Sequence, residues 1–118
     1  MFKSILEKVP AYIDDLRGCV LLDADCVTIA ETFQEGEEDR VQIPAVELAS
    51  VIVSLRKRNA LEDAGSIEEF AVRTDRLAVV ARSLKNEHTL VLVLGPSADV
   101  GRAQTLLRLL EAWIEKLL

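Results

Sequence analysis

Residues Ala45-Val46-Glu47-Leu48-Ala49-Ser50-Val51-Ile52-Val53-Ser54-Leu55 decide how the rest of the chain is read. Placed at about 100° per residue around a helix axis, Ala45, Ala49 and Ile52 fall at the centre of one apolar face. Val46 and Val53 extend one flank of that face, and Leu48, Leu55 and Val51 extend the other. The apolar arc spans about 220°, whereas a helix that covers one side of a protomer needs little more than about 100°. The extra width calls for a second surface to bury against. Glu47, Ser50, Ser54, Lys57 and Arg58 make up the polar remainder. The spacing predicts a helix from about Gln42 to Ala64, with Pro44 in its first turn and Gly65 just past its end.

Upstream, Cys19-Val20-Leu21-Leu22 and Val27-Thr28-Ile29-Ala30 are short apolar runs on either side of Asp23-Ala24-Asp25-Cys26, the pattern of a β-hairpin. The polar, acidic stretch from Gln34 to Asp39 reads as a solvated loop. Before the hairpin, Phe2, Ile5, Leu6, Val9, Tyr12, Ile13 and Leu16 recur at helical spacing. Pro10 either kinks that helix or starts a second short turn, and Arg17-Gly18 breaks the pattern.

Downstream, Ile67 to Thr74 predicts a strand with Phe70 and Val72 on one face and Ile67, Glu69 and Ala71 on the other. Leu77 to Leu84 and Thr89 to Leu94 follow as two more strands, the second so apolar that it reads as central and covered on both faces. Gly95-Pro96-Ser97 ends it, with Ser97 the expected N-cap and Asp99 favourable in the first turn of a last helix beginning at Ala98. Val100, Ala103, Leu107, Leu110, Ile114 and Leu117 form the buried stripe of that helix. The order helix, two strands, helix, three strands, helix predicts an α/β (α+β) three-layer sandwich around a mainly antiparallel five-stranded sheet.

A chain of 118 residues fits one domain spanning 1–118. Half of it is hydrophobic and 29% charged, which excludes a disordered segment, and with only 4% aromatics its core is aliphatic. Fourteen Lys and Arg against twenty Asp and Glu leave a charge of −6, which argues against nucleic acid and against an anionic membrane surface as partners. No apolar run approaches the roughly 20 residues of a membrane span. Residues 1–8 lack the layout of a secretory signal, so the expectation is a cytoplasmic chain with Cys19 and Cys26 reduced and buried.

Nothing in the sequence assembles a catalytic, cofactor or metal site. His88 lies in an expected turn with no cysteine nearby in sequence. Cys19 and Cys26 are not a Cys-x-x-Cys pair, and Asp23 and Asp25 read as turn formers through side-chain-to-backbone hydrogen bonds. Gly95-Pro96-Ser97 lacks the Gly-Lys-Ser/Thr element of a phosphate loop. Arg73, Arg76, Arg82 and Lys85 read as solvated hairpin residues, and Trp113 as a packing residue. Arg56-Lys57-Arg58 fits two readings, complementation of a helix dipole or a cationic contact for an acidic patch.

The order of elements and three local strings resemble the Roadblock/dynein light chain family. Gly18 to Ala30 resembles the family's strand, Asp-x-Asp-Gly-type turn and strand ending in Ile-Ala. Ala45-Val46-Glu47-Leu48-Ala49 resembles its Ala-rich middle helix, and Asp99-Val100-Gly101-Arg102 opens the last helix where the family often has a Leu-Gly pair. Two features depart from the pattern. Cys26 stands in place of the usual turn glycine, and the connection from Pro10 to Gly18 is longer than usual.

The resemblance implies a non-enzymatic module that dimerises by packing the middle helix against its symmetry mate and joining the third strands edge to edge. On that basis the homodimer contacts are Val46, Ser50, Val53, Phe70 and Val72. The implied partner is a small Ras-like GTPase, bound and regulated (its hydrolysis included) or scaffolded through Glu47, Ser54, Lys57 and Arg58. The bacterial gliding-motility regulators, which bind their GTPase as a homodimer, are the nearest analogy for a short stand-alone chain. Two other readings stay open: a small-molecule sensor of PAS-like or profilin-like outline, and a light-chain scaffold subunit of a larger complex. A sensor needs a cavity with convergent polar groups, and the apolar fifth strand and Leu-rich last helix leave few residues to supply them.

Overall fold

Strand β5 (Thr89–Leu94) lies at the centre of the molecule, buried along its whole length in a computed structural model that describes residues 1–56 and 63–118, with the side chains of Val53 and Arg56 outside the described set. Antiparallel pairing places β1 (Leu16–Leu22) on one side of it and β4 (Ala78–Ser83) on the other. β2 (Thr28–Phe33) pairs with β1, and β3 (Glu69–Arg73) pairs with β4. The sheet therefore runs β2-β1-β5-β4-β3, antiparallel throughout, with β2 and β3 at its edges.

Alternation along these strands divides the core in two. Cys19, Leu21, Val80, Leu90, Leu92 and Leu94 pack under α1 (Phe2–Leu6) and α3 (Val100–Ile114). Val20, Leu22, Val79, Ala81, Val91 and Val93 face the opposite way and pack under α2 (Glu38–Arg56). The result is the expected three-layer arrangement, in the expected order of elements. No described helix is long and apolar enough to cross a membrane.

Several boundaries differ from the sequence expectation. Pro10 closes the first helical segment: α1 stops at Leu6, a 3₁₀ turn occupies Val9–Ala11, and Leu16 begins β1. Gly18 belongs to the strand rather than breaking the pattern. A methyl there would stand 2.5 Å from Val41 Cγ1 and 2.8 Å from a ring carbon of Phe33, so glycine is what lets α2 settle on the sheet. α2 begins at Glu38, so Pro44 lies inside the helix rather than in its first turn. The reason is electrostatic and local. Glu38 and Asp39 suit the positive end of the helix dipole, and the Glu37 carbonyl accepts from the Arg40 and Val41 amides. The cap of α3 is Asp99, whose carboxylate accepts from the Arg102 amide at 3.0 Å, and not Ser97. Ile67 precedes β3 and packs on the α2 side, with Phe70 rather than with Glu69.

Candidate functional site

The face of α2 turned away from the sheet is assembled by the side chains that turn the other face inward. Val41, Ala45, Ala49 and Ile52 are buried against the valine side of the sheet. Two of the four are alanines, which draws the helix axis close to the strands. One helix about 10 Å across then covers a sheet whose outer strands lie roughly 19 Å apart. The remaining width is not filled: Val46, Leu48, Ile67, Phe70 and Leu77 are only partly buried against this core. Ile43 is 64% exposed and Val51 42% exposed. Both are apolar, and both lie on the outward half of α2.

Hydrogen bonds and packing fix which flank of α2 looks where. The Gln42 amide donates to the Glu31 carboxylate of β2 at 3.3 Å, so that flank points to the β2 edge. Val46, one turn on, shares it. Pro44 shares a groove with Leu77 and Val93, so the opposite flank points toward β4. Leu48 and Val51, four and seven residues after Pro44, share that second flank. Phe70 and Val72 lie one strand further out, and their register partners Ala81 and Val79 belong to the α2-facing core. The structure therefore brings Phe70 and Val72 to the same side as Val51, while Val46 stands on the other flank.

Ser50 lies between the flanks, half-buried, its hydroxyl donating to the Glu47 carbonyl at 2.5 Å. Glu47 and Ser54 are exposed on the outward surface. Lys57, Arg58 and the side chain of Val53, three of the nine residues singled out from the sequence, lie outside the described residues. Ile43 was not singled out. Its signal in the sequence is an apolar residue beyond the edge of the buried arc.

The turn aspartate Asp23, the two cysteines and His88 occupy structural positions. Asp23 Oδ1 accepts from the Asp25 and Val27 amides at 2.8 and 3.0 Å, closing the β1–β2 turn as expected. Cys26, inside that turn, adopts φ 61°, the left-handed conformation that glycine adopts without strain. Cys19 is wholly buried, and burial pushes its thiol pKa well up, the opposite of what a reactive thiolate needs. Cys26 is half-buried in the turn rather than in the core. His88 is also half-buried, its Nδ1 3.2 Å from the carbonyl oxygens of Lys85 and Asn86. Among the described residues no group of three His, Cys, Asp or Glu is placed to hold a metal ion.

Arg82 is not a solvated hairpin residue. Its guanidinium bonds Glu111 of α3 and, at 2.7 Å, Glu69 of β3, and Arg108 of α3 adds a 2.8 Å bond to Glu69. The Arg108 hydrogen bond, opposed by partial burial and aided by the charges of Arg108 and Arg82, holds the Glu69 carboxyl below the ordinary carboxylate range. The network straps edge strand β3 to α3. Arg73, four residues further along β3, does similar work, donating to the carbonyl of Pro96 and, at 2.7 Å, to that of Ala98.

No family model and no curated protein matches the sequence. Solved structures do match. MglC from Myxococcus xanthus superposes with a TM-score of 0.70 at 20% identity, over 99% of this chain and 98% of that one. The Roadblock/LC7 domain from Streptomyces avermitilis gives 0.69 at 15% identity, over 95% and 96%. Myxococcus xanthus MglB gives 0.74 at 11% identity, over 98% and 92%. The chain has the Roadblock/LC7 fold, and its structural neighbours include the gliding protein MglB from Thermus thermophilus, with a TM-score of 0.64 at 17% identity over 86% of this chain and 76% of that one.

Proposed function

We propose that the chain is a single-domain, non-enzymatic module that forms a homodimer in the cytoplasm and binds a small Ras-like GTPase, regulating or scaffolding it. The observation that carries this reading is the incompletely covered α2 face. One helix leaves Ile43 and Val51 exposed and Phe70 half-buried, and β3 beside them has an open edge. A second α2 laid against the first supplies the missing width, and a second β3 pairs the edge that would otherwise be exposed.

The dimer contacts in this reading are Val46, Ser50, Val53, Phe70 and Val72, joined by Ile43 and Val51. Glu47, Ser54, Lys57 and Arg58 form the GTPase-facing rim, where charge steers encounter more than it adds affinity. With no catalytic group assigned, any effect on GTP hydrolysis acts by reshaping the partner's switch loops.

The test is affinity purification of the intact tagged chain from GTP-loaded and GDP-loaded lysates of its own organism, with the recovered proteins identified. A Ras-like GTPase enriched in one nucleotide state supports the reading. Its absence from both states counts against it.

A further inference from the structure

A groove of about 910 Å³ opens beside the first turns of α2, between that helix, the β3–β4 turn and the end of β5. Its floor is aliphatic, made by Val41, Leu77 and Val93, with Pro44 and Pro96 as walls. The Pro96 wall is held in place, since Arg73 bonds the Pro96 and Ala98 carbonyls. The β3–β4 turn is held as well: the Thr74 hydroxyl accepts from the Arg76 and Leu77 amides at 3.2 and 3.1 Å. The groove is thus shaped before any ligand arrives.

Three guanidinium groups stand at its rim, Arg17, Arg40 and Arg76, against the carboxylates of Glu37 and Asp39. In a chain of charge −6 this is a local cationic excess. Arg17 makes only a long 3.6 Å contact with Asp15. Arg40 and Arg76 are exposed, and neither side chain forms an ion pair among the described residues.

From this pairing of an aliphatic floor with spare guanidinium groups, we infer that the groove docks an acidic peptide segment of a partner protein. One aliphatic side chain fills the floor, and flanking Asp or Glu carboxylates meet Arg40 and Arg76. Planar guanidinium groups suit carboxylates, which they bind in paired hydrogen bonds. A nucleotide fits less well, because among the described residues no aromatic side chain lines the groove to stack a base. The assignment goes beyond the GTPase reading and does not depend on it.

The experiment pans a phage-displayed random dodecapeptide library on the immobilised intact chain. The most enriched peptide, fluorescently labelled, is then titrated onto wild type, onto Arg40→Glu/Arg76→Glu, and onto the milder Arg40→Gln/Arg76→Gln. The expected enrichment is Asp or Glu flanking Leu, Ile or Val, with Kd weakened about tenfold or more by the charge reversal, less by the neutral pair, and by added salt. Unchanged thermal melts of the neutral pair separate lost binding from lost folding. No enrichment, enrichment of basic or aromatic peptides, or equal binding to the neutral pair overturns the inference. Displacement of the peptide by inorganic phosphate also overturns it, because the groove is then a small-anion site.

Discussion

The two faces of the sheet are built from the same strands and end differently. On one face leucines predominate, and two helices cover them: Leu90, Leu92 and Leu94 meet Leu6, Leu107, Leu110 and Ile114, all essentially inaccessible. On the other, valines and alanines meet the single helix α2, and its flanks and its neighbour β3 stay partly open. Long side chains fill a thick layer and hold two helices apart above the sheet. Short, branched ones draw one helix down tightly, and one helix is too narrow for five strands. The leucine face closes within the protomer. The valine face is left for something outside it.

The largest test of that contrast is made on the closed face. Leu92→Ala removes a wholly buried side chain and leaves a cavity in the core beneath α1 and α3. A loss of about 2–5 kcal/mol is expected, read as a lowered urea midpoint at unchanged slope. On the valine face, Gly18→Ala sharpens the claim of close approach. The added methyl meets Val41 and Phe33, so these side chains must give way or α2 must shift, at a cost of about 1–3 kcal/mol. A Gly18→Ala variant as stable as wild type contradicts the claim that α2 is seated by contact.

A smaller effect is expected where the two faces meet their shared edge. Glu69→Gln leaves the shape of the β3–α3 strap and removes its charge. Because the folded protein holds the Glu69 carboxyl below its ordinary range, the strap stabilises at neutral pH, and that contribution is lost as pH falls through the depressed value. Wild type should therefore exceed Glu69→Gln by about 0.5–1 kcal/mol at neutral pH, a modest figure because the partner Arg108 is largely exposed. Thermal melts of the two should converge in strong acid. A gap that persists there assigns the effect to packing instead.

The contrast between faces also explains what the sequence disclosed. Apolar periodicity is a property of the chain, so the order of elements, the central place of β5 and the excess width of the α2 arc were all readable from it. The helix start was not, because Glu38 and Asp39 look the same in a solvated loop and in a first turn, where acids are favoured. Asp99 displaced Ser97 as the cap for a similar reason: both residues are good caps, and the turn from Gly95 to Ala98 decides between them. Arg82 looked like a hairpin cation because its partners Glu69 and Glu111 are thirteen and twenty-nine residues away. Likewise the angular plot ranked Val46 and Val51 as equivalent flanks of one arc. The bond from Gln42 to Glu31 and the placing of Pro44 beside Leu77 say which flank faces β2 and which faces β4.

That asymmetry gives the prediction with the smallest effect on folding and the sharpest bearing on the open face. In a lone protomer Val51 already keeps 42% of its surface in water, on the outward half of α2, so Val51→Glu should change its stability by no more than about 0.5 kcal/mol. Between two α2 helices the same glutamate is an unpaired buried charge, and the dimer should not form. Light scattering should then report the protomer mass of 13.1 kDa for the variant and twice that for wild type. The wild-type urea midpoint should also rise with protein concentration, as mass action requires of a dimer, and the variant's should not. Val46→Glu probes the flank toward β2. If it separates the protomers and Val51→Glu does not, the helices meet across the β2 side and β3 is not the shared edge. If neither does, a surface other than α2 covers the valine face.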